Sequence, residues 1–360
     1  MEGTLPLFKS YPRIEKYIPR VMLGNYPSPV KRLSGLERAL GSGEVWIKRD
    51  DLLSGIYGGN KVRKLEFILG DAIIRGAKTL ITVGGLGSNH ALALAAHSRD
   101  LGFKSVLVLF NQPNSYQVRK NLILDFYFGA EMHYADSYLK VPLIVVREFL
   151  KYLLSGNRPL YIPAGGTTPI STLGYVNAAF ELKEQIEGGE MPKPDYIFVP
   201  AGTGGTMAGL ILGGVLLGLD MKIIGVNVST KLIINRFMVS RLVNKTFNLI
   251  KRYSPNMTQS LSKPDIILLD GYIEKGYGHA TQKAKEAVRI AALEEGLCIE
   301  ETYTGKAFAA FLDFIKNRPK GVFLFWHTFN SVDFSETIER IDYWSLPKEF
   351  YNIFTCPLDY

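Results

Sequence analysis

The chain has 360 residues, 47% of them hydrophobic and 21% charged, which suits a soluble globular protein with two domains and excludes a disordered chain. The longest apolar run, Leu210–Leu219, is short and broken by glycines, and Met1–Ser10 lacks the apolar stretch of a signal peptide, so neither a membrane span nor a leader is expected. The net charge is +8, but the basic residues are dispersed and no nucleic-acid motif occurs, so the charge reads as a solvated basic face that favours anionic ligands over nucleic acid.

Taken along the chain, the first informative segment is Gly58-Gly59-Asn60-Lys61-Val62-Arg63-Lys64. The glycines allow a tight turn and leave room for a flat group, and Lys61 then falls at the mouth of a helix. The positive end of the helix disfavours a second cation, and a partly neutral lysine attacks carbonyls. The plainer alternative is a surface lysine in a turn. Lys64, one helical turn on, either adds charge on the same side or is a solvated helix lysine.

Thr79–Val83 reads as a buried strand, Ser88 as the cap of a helix running to Leu101, and Ser105–Phe110 as the next strand. In such a βαβ unit the loop at the carboxyl end of the strand is where open α/β sheets bind ligands. Ser88, Asn89 and His90 lie in that loop, beside helix N–H groups able to meet a carboxylate. Ser88 as a plain cap and His90 as a solvated first-turn residue are the alternatives. A second unit starts with the strand Asp195–Val199, turns through Pro200–Gly205, enters a helix at Thr206 and continues in the strand Lys222–Val226. Its turn, Gly202-Thr203-Gly204-Gly205-Thr206, exposes several N–H groups at a helix start, a nest that fits a phosphate. It is not a Walker loop, because no GK[ST] follows.

The densest basic stretch then holds Lys231, Arg236, Arg241, Lys245, Lys251, Arg252 and Lys263 without an acid. Gly276-Tyr277-Gly278 and Thr302-Tyr303-Thr304-Gly305-Lys306 follow, and a buried strand Val322–Trp326 leads into His327-Thr328. Cys298 and Cys356 have neither disulfide nor metal-ligand spacing, so no metal site is expected and a reducing cytoplasm is the expected location. The alternation of strands and helices predicts an α/β fold of parallel sheets with crossover helices.

Lys48-Arg49-Asp50-Asp51-Leu52, the Lys61 segment, Gly84–His90 and the later motifs together resemble the 1-aminocyclopropane-1-carboxylate deaminase / D-cysteine desulfhydrase family, from about Pro12 to Thr328. The resemblance implies a fold type II, tryptophan synthase β-like architecture: two open, twisted, mostly parallel sheets with flanking helices. It further implies a large domain of residues 1–61 and 164–360, an inserted small domain of residues 62–163, and pyridoxal 5'-phosphate in the cleft between them. Lys61 would carry the cofactor as a Schiff base. Gly202, Thr203, Gly204, Gly205 and Thr206, helped by Lys64, would hold its phosphate, and Asn89 its phenolic oxygen. Thr304 and Thr328 would lie near the pyridine nitrogen, Ser88, Asn89 and His90 near the substrate, and Tyr277 and Tyr303 against the reacting groups. The family's deaminases carry glutamate where this chain has Thr304, and its desulfhydrases carry threonine. That implies β-elimination on a small amino acid, D-cysteine first, by a homodimeric enzyme. The alternatives are ring opening of the cyclopropane, a related sulfo-lyase, or a divergent cofactor-binding protein with little catalysis. Phe329-Asn330 departs from the usual two glycines, and Ala91-Leu92-Ala93 lacks a frequent arginine.

Overall fold

Ten strands form two sheets in a computed structural model that describes residues 4–261, 264–274 and 276–359. The strands are β1 (Val30–Arg32), β2 (Glu44–Arg49), β3 (Thr79–Gly85), β4 (Lys104–Phe110), β5 (Glu131–Ala135), β6 (Pro159–Ile162), β7 (Tyr196–Ala201), β8 (Lys222–Asn227), β9 (Ile267–Leu269) and β10 (Val322–His327). The larger sheet has the order β1-β2-β10-β7-β8-β9 and is parallel except for the antiparallel β1–β2 edge; the smaller, β5-β4-β3-β6, is parallel throughout.

Both sheets are covered on both faces, which is why their central strands read as apolar runs rather than as alternating ones. In β10, Phe323 and Phe325 pack under the helix Thr304–Asn317, while Leu324 and Trp326 face the helices Pro169–Glu187 and Gly205–Leu217. In the small sheet, Leu80, Leu107 and Leu109 face the helix Asn89–Arg99, whereas Ile81 and Val106 meet Tyr152 of the helix Lys140–Leu154. The apolar run at residues 210–219 falls mostly in the buried helix Gly205–Leu217. That helix sits tightly on its neighbour, since a Cβ at Gly209 would come within 2.4 Å of Tyr175 Cβ. Among the described residues, no helix is long and apolar enough to cross a membrane.

The helix Asn60–Ile74 joins the two halves. Its Leu65, Ile68 and Leu69 belong to the small-sheet core, while Arg63 reaches into a buried ionic network of the large one. Arg63 donates to Asp50 at 2.8 and 2.9 Å and to Glu181 at 2.8 and 2.9 Å; Lys48 donates to Glu181 at 2.6 Å, and Tyr175 and Trp326 donate to Asp50 at 2.6 and 2.7 Å. Burial alone would raise the Glu181 carboxyl, but Arg63 and Lys48 outweigh it and bring it down to about 2. Phe334, Leu346 and Phe350, from the last segment of the chain, also join the small-sheet core.

The basic segment is largely the amphipathic helix Arg236–Tyr253, with Val239, Val243, Phe247 and Ile250 buried and Arg236, Arg241, Lys245, Lys251 and Arg252 exposed. Lys231 pairs with Asp270 at 3.4 Å, and Lys263 lies outside the described residues.

Candidate functional site

The carboxyl ends of β3, β7 and β10 open onto one cavity of about 450 Å³. Its wall brings together every residue singled out in the sequence for a role at a cofactor or substrate: Lys61, Lys64, Ser88, Asn89, His90, Gly202 through Thr206, Tyr277, Tyr303, Thr304 and Thr328. These come from six separate stretches of chain. A cavity at this end of parallel strands is the expected binding place in an open α/β sheet.

Lys61 is the second residue of the helix Asn60–Ile74. The glycines before it serve a different purpose from the one expected. A Cβ at Gly58 would fall 2.0 Å from Asp51 O, and one at Gly59, whose φ is +90°, would fall 2.6 Å from Thr328 O. They let the Lys61 loop lie directly on the backbone after β2 and after β10, rather than leaving space for a ligand. Burial lowers the Lys61 ammonium to about 8, and no carboxylate among the described residues lies close enough to oppose that shift. The helix end, invoked from sequence, is secondary to this desolvation.

Lys64 is not a solvated helix lysine. It is 2% exposed, and its Nζ donates to Thr167 Oγ1 at 3.0 Å and to Gly165 O at 3.2 Å. A Cβ on Gly205 would come within 2.6 Å of that Nζ, so the ammonium touches the glycine nest. Thr167 Oγ1 lies 2.6 Å from Thr203 Oγ1, and Asn60 donates to Thr206 Oγ1 at 3.1 Å. Gly204 takes φ +80° to start the helix Gly205–Leu217, whose first N–H groups have no intrahelical acceptor. Burial, and then Lys61, push the Lys64 ammonium well below its ordinary value. A buried cation with only neutral partners, beside a ring of N–H donors, is a site in want of an anion, and a phosphate ester fits it.

Ser88 caps the helix Asn89–Arg99, accepting from Ala91 N at 3.2 Å. Asn89 Oδ1 accepts from Asn121 Nδ2 at 3.1 Å and Tyr57 OH at 3.4 Å, which leaves its Nδ2 as a donor toward the cavity. His90 is buried rather than solvated: Nε2 meets Thr82 Oγ1 at 3.2 Å, and burial lowers its imidazole well below the ordinary value, so it is neutral. Thr82 spends its own proton on Ile162 O, which makes Nε2 the protonated nitrogen and leaves the buried Nδ1 without a partner. Tyr277 and Tyr303 share a hydroxyl–hydroxyl bond of 2.6 Å, and burial pushes Tyr277 up to about 12.

Glu300, which no motif in the sequence singled out, also lines the cavity. Its carboxylate accepts from the N–H groups of Thr302, Tyr303 and Thr304 at 2.6 to 3.0 Å and from Thr304 Oγ1 at 2.6 Å. The available signal was an acid placed just before a helix start. Because Thr304 gives its proton to Glu300, its oxygen faces the cavity as an acceptor. Phe329 lines the cavity, but Asn330 does not: its Oδ1 accepts from Gly58 N at 2.6 Å and so braces the Lys61 loop. Ala91 and Ala93 are core residues.

The sequence profile of the family described as "Pyridoxal-phosphate dependent enzyme" matches residues 21–328. The chain belongs to this family. A Pyrococcus furiosus protein named "Putative 1-aminocyclopropane-1-carboxylate deaminase" is 36% identical over 325 residues, 88% of this chain and 94% of its own. A crystal structure of an ACC deaminase homologue is 31% identical at a TM-score of 0.76, covering 94% of this chain and 99% of that one. A threonine deaminase isoform from Solanum lycopersicum is 17% identical at a TM-score of 0.58, over 94% of this chain and 88% of its own, and shares the fold. This pyridoxal-phosphate-dependent enzyme therefore has the fold type II architecture that its sheets display, and its cofactor is the aldehyde-bearing phosphate ester that a desolvated lysine beside an anion nest would suit. A separate group, Glu131, His133 and Glu148, lies outside the cavity, its carboxylates already engaged by Lys104, Lys151 and Arg147.

Proposed function

We propose that this enzyme is a lyase that removes a β-substituent from a small amino acid, with D-cysteine giving pyruvate, ammonia and sulfide as the first reaction to test. The observation that carries the reading is Lys61, its ammonium lowered to about 8 by burial in the same cavity as a phosphate-ready nest. Gly202 through Thr206 and Lys64 would hold the phosphate, Asn89 Nδ2 the phenolic oxygen, and Thr304 and Thr328 the neighbourhood of the ring nitrogen. Bound there, pyridoxal phosphate supplies an electron sink for bond breaking at the substrate α-carbon. Lys61 Nζ would take the proton from the substrate α-carbon. Ser88 and the N-terminus of its helix meet the substrate carboxylate, with His90 as a neutral wall beside them. The tyrosine pair stands ready to give a proton to the leaving group, since Tyr277 stays protonated up to about 12.

Thr304 supports elimination over ring opening, because a hydroxyl stabilises a protonated pyridine less than a carboxylate does. A specific observation favours a second reading, 1-aminocyclopropane-1-carboxylate deamination. The Glu300 carboxylate stands one hydrogen bond behind Thr304, at 2.6 Å, and strengthens it as an acceptor. Incubation with D-cysteine, L-cysteine and the cyclopropane, with sulfide, pyruvate and 2-oxobutyrate measured, separates the readings. Sulfide and pyruvate from D-cysteine with little 2-oxobutyrate is the expected result, and abundant 2-oxobutyrate would replace the first reading by the second. No product despite bound cofactor would favour a divergent binding protein, with Phe329 the first residue to change. On the resemblance alone we carry over the homodimer, the cytoplasmic location and the division into residues 1–61 with 164–360 and residues 62–163. Sedimentation and limited proteolysis test the first and the last.

A further inference from the structure

The charged side chains of the cavity wall, Lys61, Lys64 and Glu300, all stand on its floor. Glu300 is already occupied by three backbone N–H groups and the Thr304 hydroxyl. Toward the mouth the wall changes character. Tyr277, whose ring centre lies 5.9 Å from that of Tyr303, is followed by Phe110 at 6.4 Å, and Phe110 by Tyr138 at 4.7 Å. This aromatic file runs from the hydroxyl pair to the rim, where Tyr138 is 65% exposed. Leu232, 85% exposed, and Ile233, 46% exposed, line the mouth with it. Among the described residues of the wall, none at the mouth offers a charge to a substrate side chain. A sulfonate or second carboxylate would lose its hydration there without gaining a cation, and an ammonium would lose it without gaining an acid. A bare cysteine thiol would stop at the tyrosine pair and leave Phe110 and Tyr138 without contact.

We infer that the side chain this enzyme accepts is a neutral thioether with an apolar or aromatic group on sulfur, that is, an S-alkyl or S-aralkyl cysteine. This rests on the lyase reading above. The α-C–H bond breaks with its proton going to Lys61, and the Cβ–S bond breaks with its electron pair leaving on sulfur. With one water taken up, the products are a thiol, pyruvate and ammonium, and nothing is oxidised or reduced. Apolar contact along Phe110 and Tyr138 favours the larger group, and the aromatic rings suit offset or edge-on stacking.

The test is a series of cysteine, S-methyl-, S-butyl-, S-benzyl- and S-carboxymethylcysteine in both hands, with the holoenzyme and pyruvate release as the readout. Calorimetry with the α-methyl forms, which have no proton to remove, measures binding apart from turnover. For the preferred hand, kcat/KM should rise from S-methyl to S-benzyl by about tenfold or more, and S-carboxymethylcysteine should fall below S-methyl. The Leu232→Ser and Tyr138→Ser variants, both at exposed positions, should shrink the benzyl-to-methyl ratio severalfold. Cysteine turned over as well as its S-benzyl form, or S-carboxymethylcysteine preferred, would overturn the inference and leave the lyase reading standing. Pyruvate from no member of the series would sink the lyase reading instead. Calorimetry would then decide the substrate class: tighter binding of the benzyl than of the carboxymethyl form supports it, and the reverse refutes it.

Discussion

The floor and the mouth of the cavity obey different physics. On the floor, two buried ammonium groups, a ring of helix-start N–H donors and a carboxylate bonded four times over stand within one wall. At the mouth, aromatic and aliphatic side chains stand in or near solvent with no charge among them. The floor is costly to assemble, because each desolvated polar group needs a partner or a ligand, and so its residue types are narrowly constrained. The mouth needs only apolar area and shape, which many residues supply. Cofactor identity is therefore written on the floor, and substrate preference at the mouth.

Removing the key group of the floor gives the largest expected effect. Lys61→Ala should lower turnover by about 10²–10⁴-fold through lost proton transfer alone, measured as pyruvate release. Borohydride reduction of the unaltered holoenzyme followed by peptide mapping should place the pyridoxyl group on Lys61. An adduct on Lys64 or Lys306 would break the assignment. The next effect lies beneath the floor. Arg63→Ala takes from Asp50 its ion pair and leaves Glu181 with Lys48 alone, and should cost about 3–5 kcal/mol in denaturant unfolding. A loss under 1 kcal/mol would mean that water enters the network. A smaller effect is expected at the nest. In Gly205→Val the added carbons occupy the place of Lys64 Nζ, 2.6 Å from the new Cβ. Displacing one charge-assisted bond to the phosphate should weaken cofactor binding by roughly 10–100-fold in an equilibrium titration. Thr203→Val should weaken it less, and equal losses would shift the weight of binding from Lys64 to the threonine. The mouth variants Leu232→Ser and Tyr138→Ser should leave cofactor affinity as it was, and a change there would blur the contrast between the two regions.

How far each region could be read from sequence follows from the same contrast. Lys61, Ser88-Asn89-His90 and Gly202 through Thr206 lie in short segments behind strands, so spacing and residue type reveal them. The strands themselves were legible as apolar runs, and the nested order of the two sheets entered through the resemblance. Less was visible where a role depends on a distant partner. Lys64 and His90 looked equally like solvated helix residues, because much of their burial comes from Thr167 and Gly166, far along the chain. Asn330 read only as a departure from a usual glycine and is a brace for Gly58, a contact across 272 positions. Glu300 was hidden because an acid before a helix reads first as a cap, and it is one. The mouth was invisible, since Phe110, Tyr138 and Leu232 share no motif and meet only in space.

The smallest effect separates two lysines that look alike by acidity. Burial lowers both Lys61 and Lys306 to about 8, yet Lys306 is absent from the cavity wall and its Nζ rests 3.5 Å from Gly276 O. Capture of the cofactor aldehyde by the apoprotein needs the neutral amine. With a value of about 8, the neutral fraction of Lys61 is about a tenth at pH 7, half at pH 8 and nine tenths at pH 9. Capture should therefore rise about tenfold across that range and flatten above pH 9, whereas a lysine at its ordinary value near 10.4 would still be climbing steeply there. The sign for stability is the same: the folded state binds fewer protons than the unfolded one between about 8 and 10.5, so these lysines make the apoprotein more stable as pH rises through that window. Stopped-flow absorbance of capture against pH, on the unaltered apoprotein and on Lys306→Met, reads the first effect. An inflection near 8 that survives in Lys306→Met assigns it to Lys61. An inflection that moves when Lys306 is replaced would show that the buried amine outside the cavity controls capture, and the reactive amine would then lie beyond the floor.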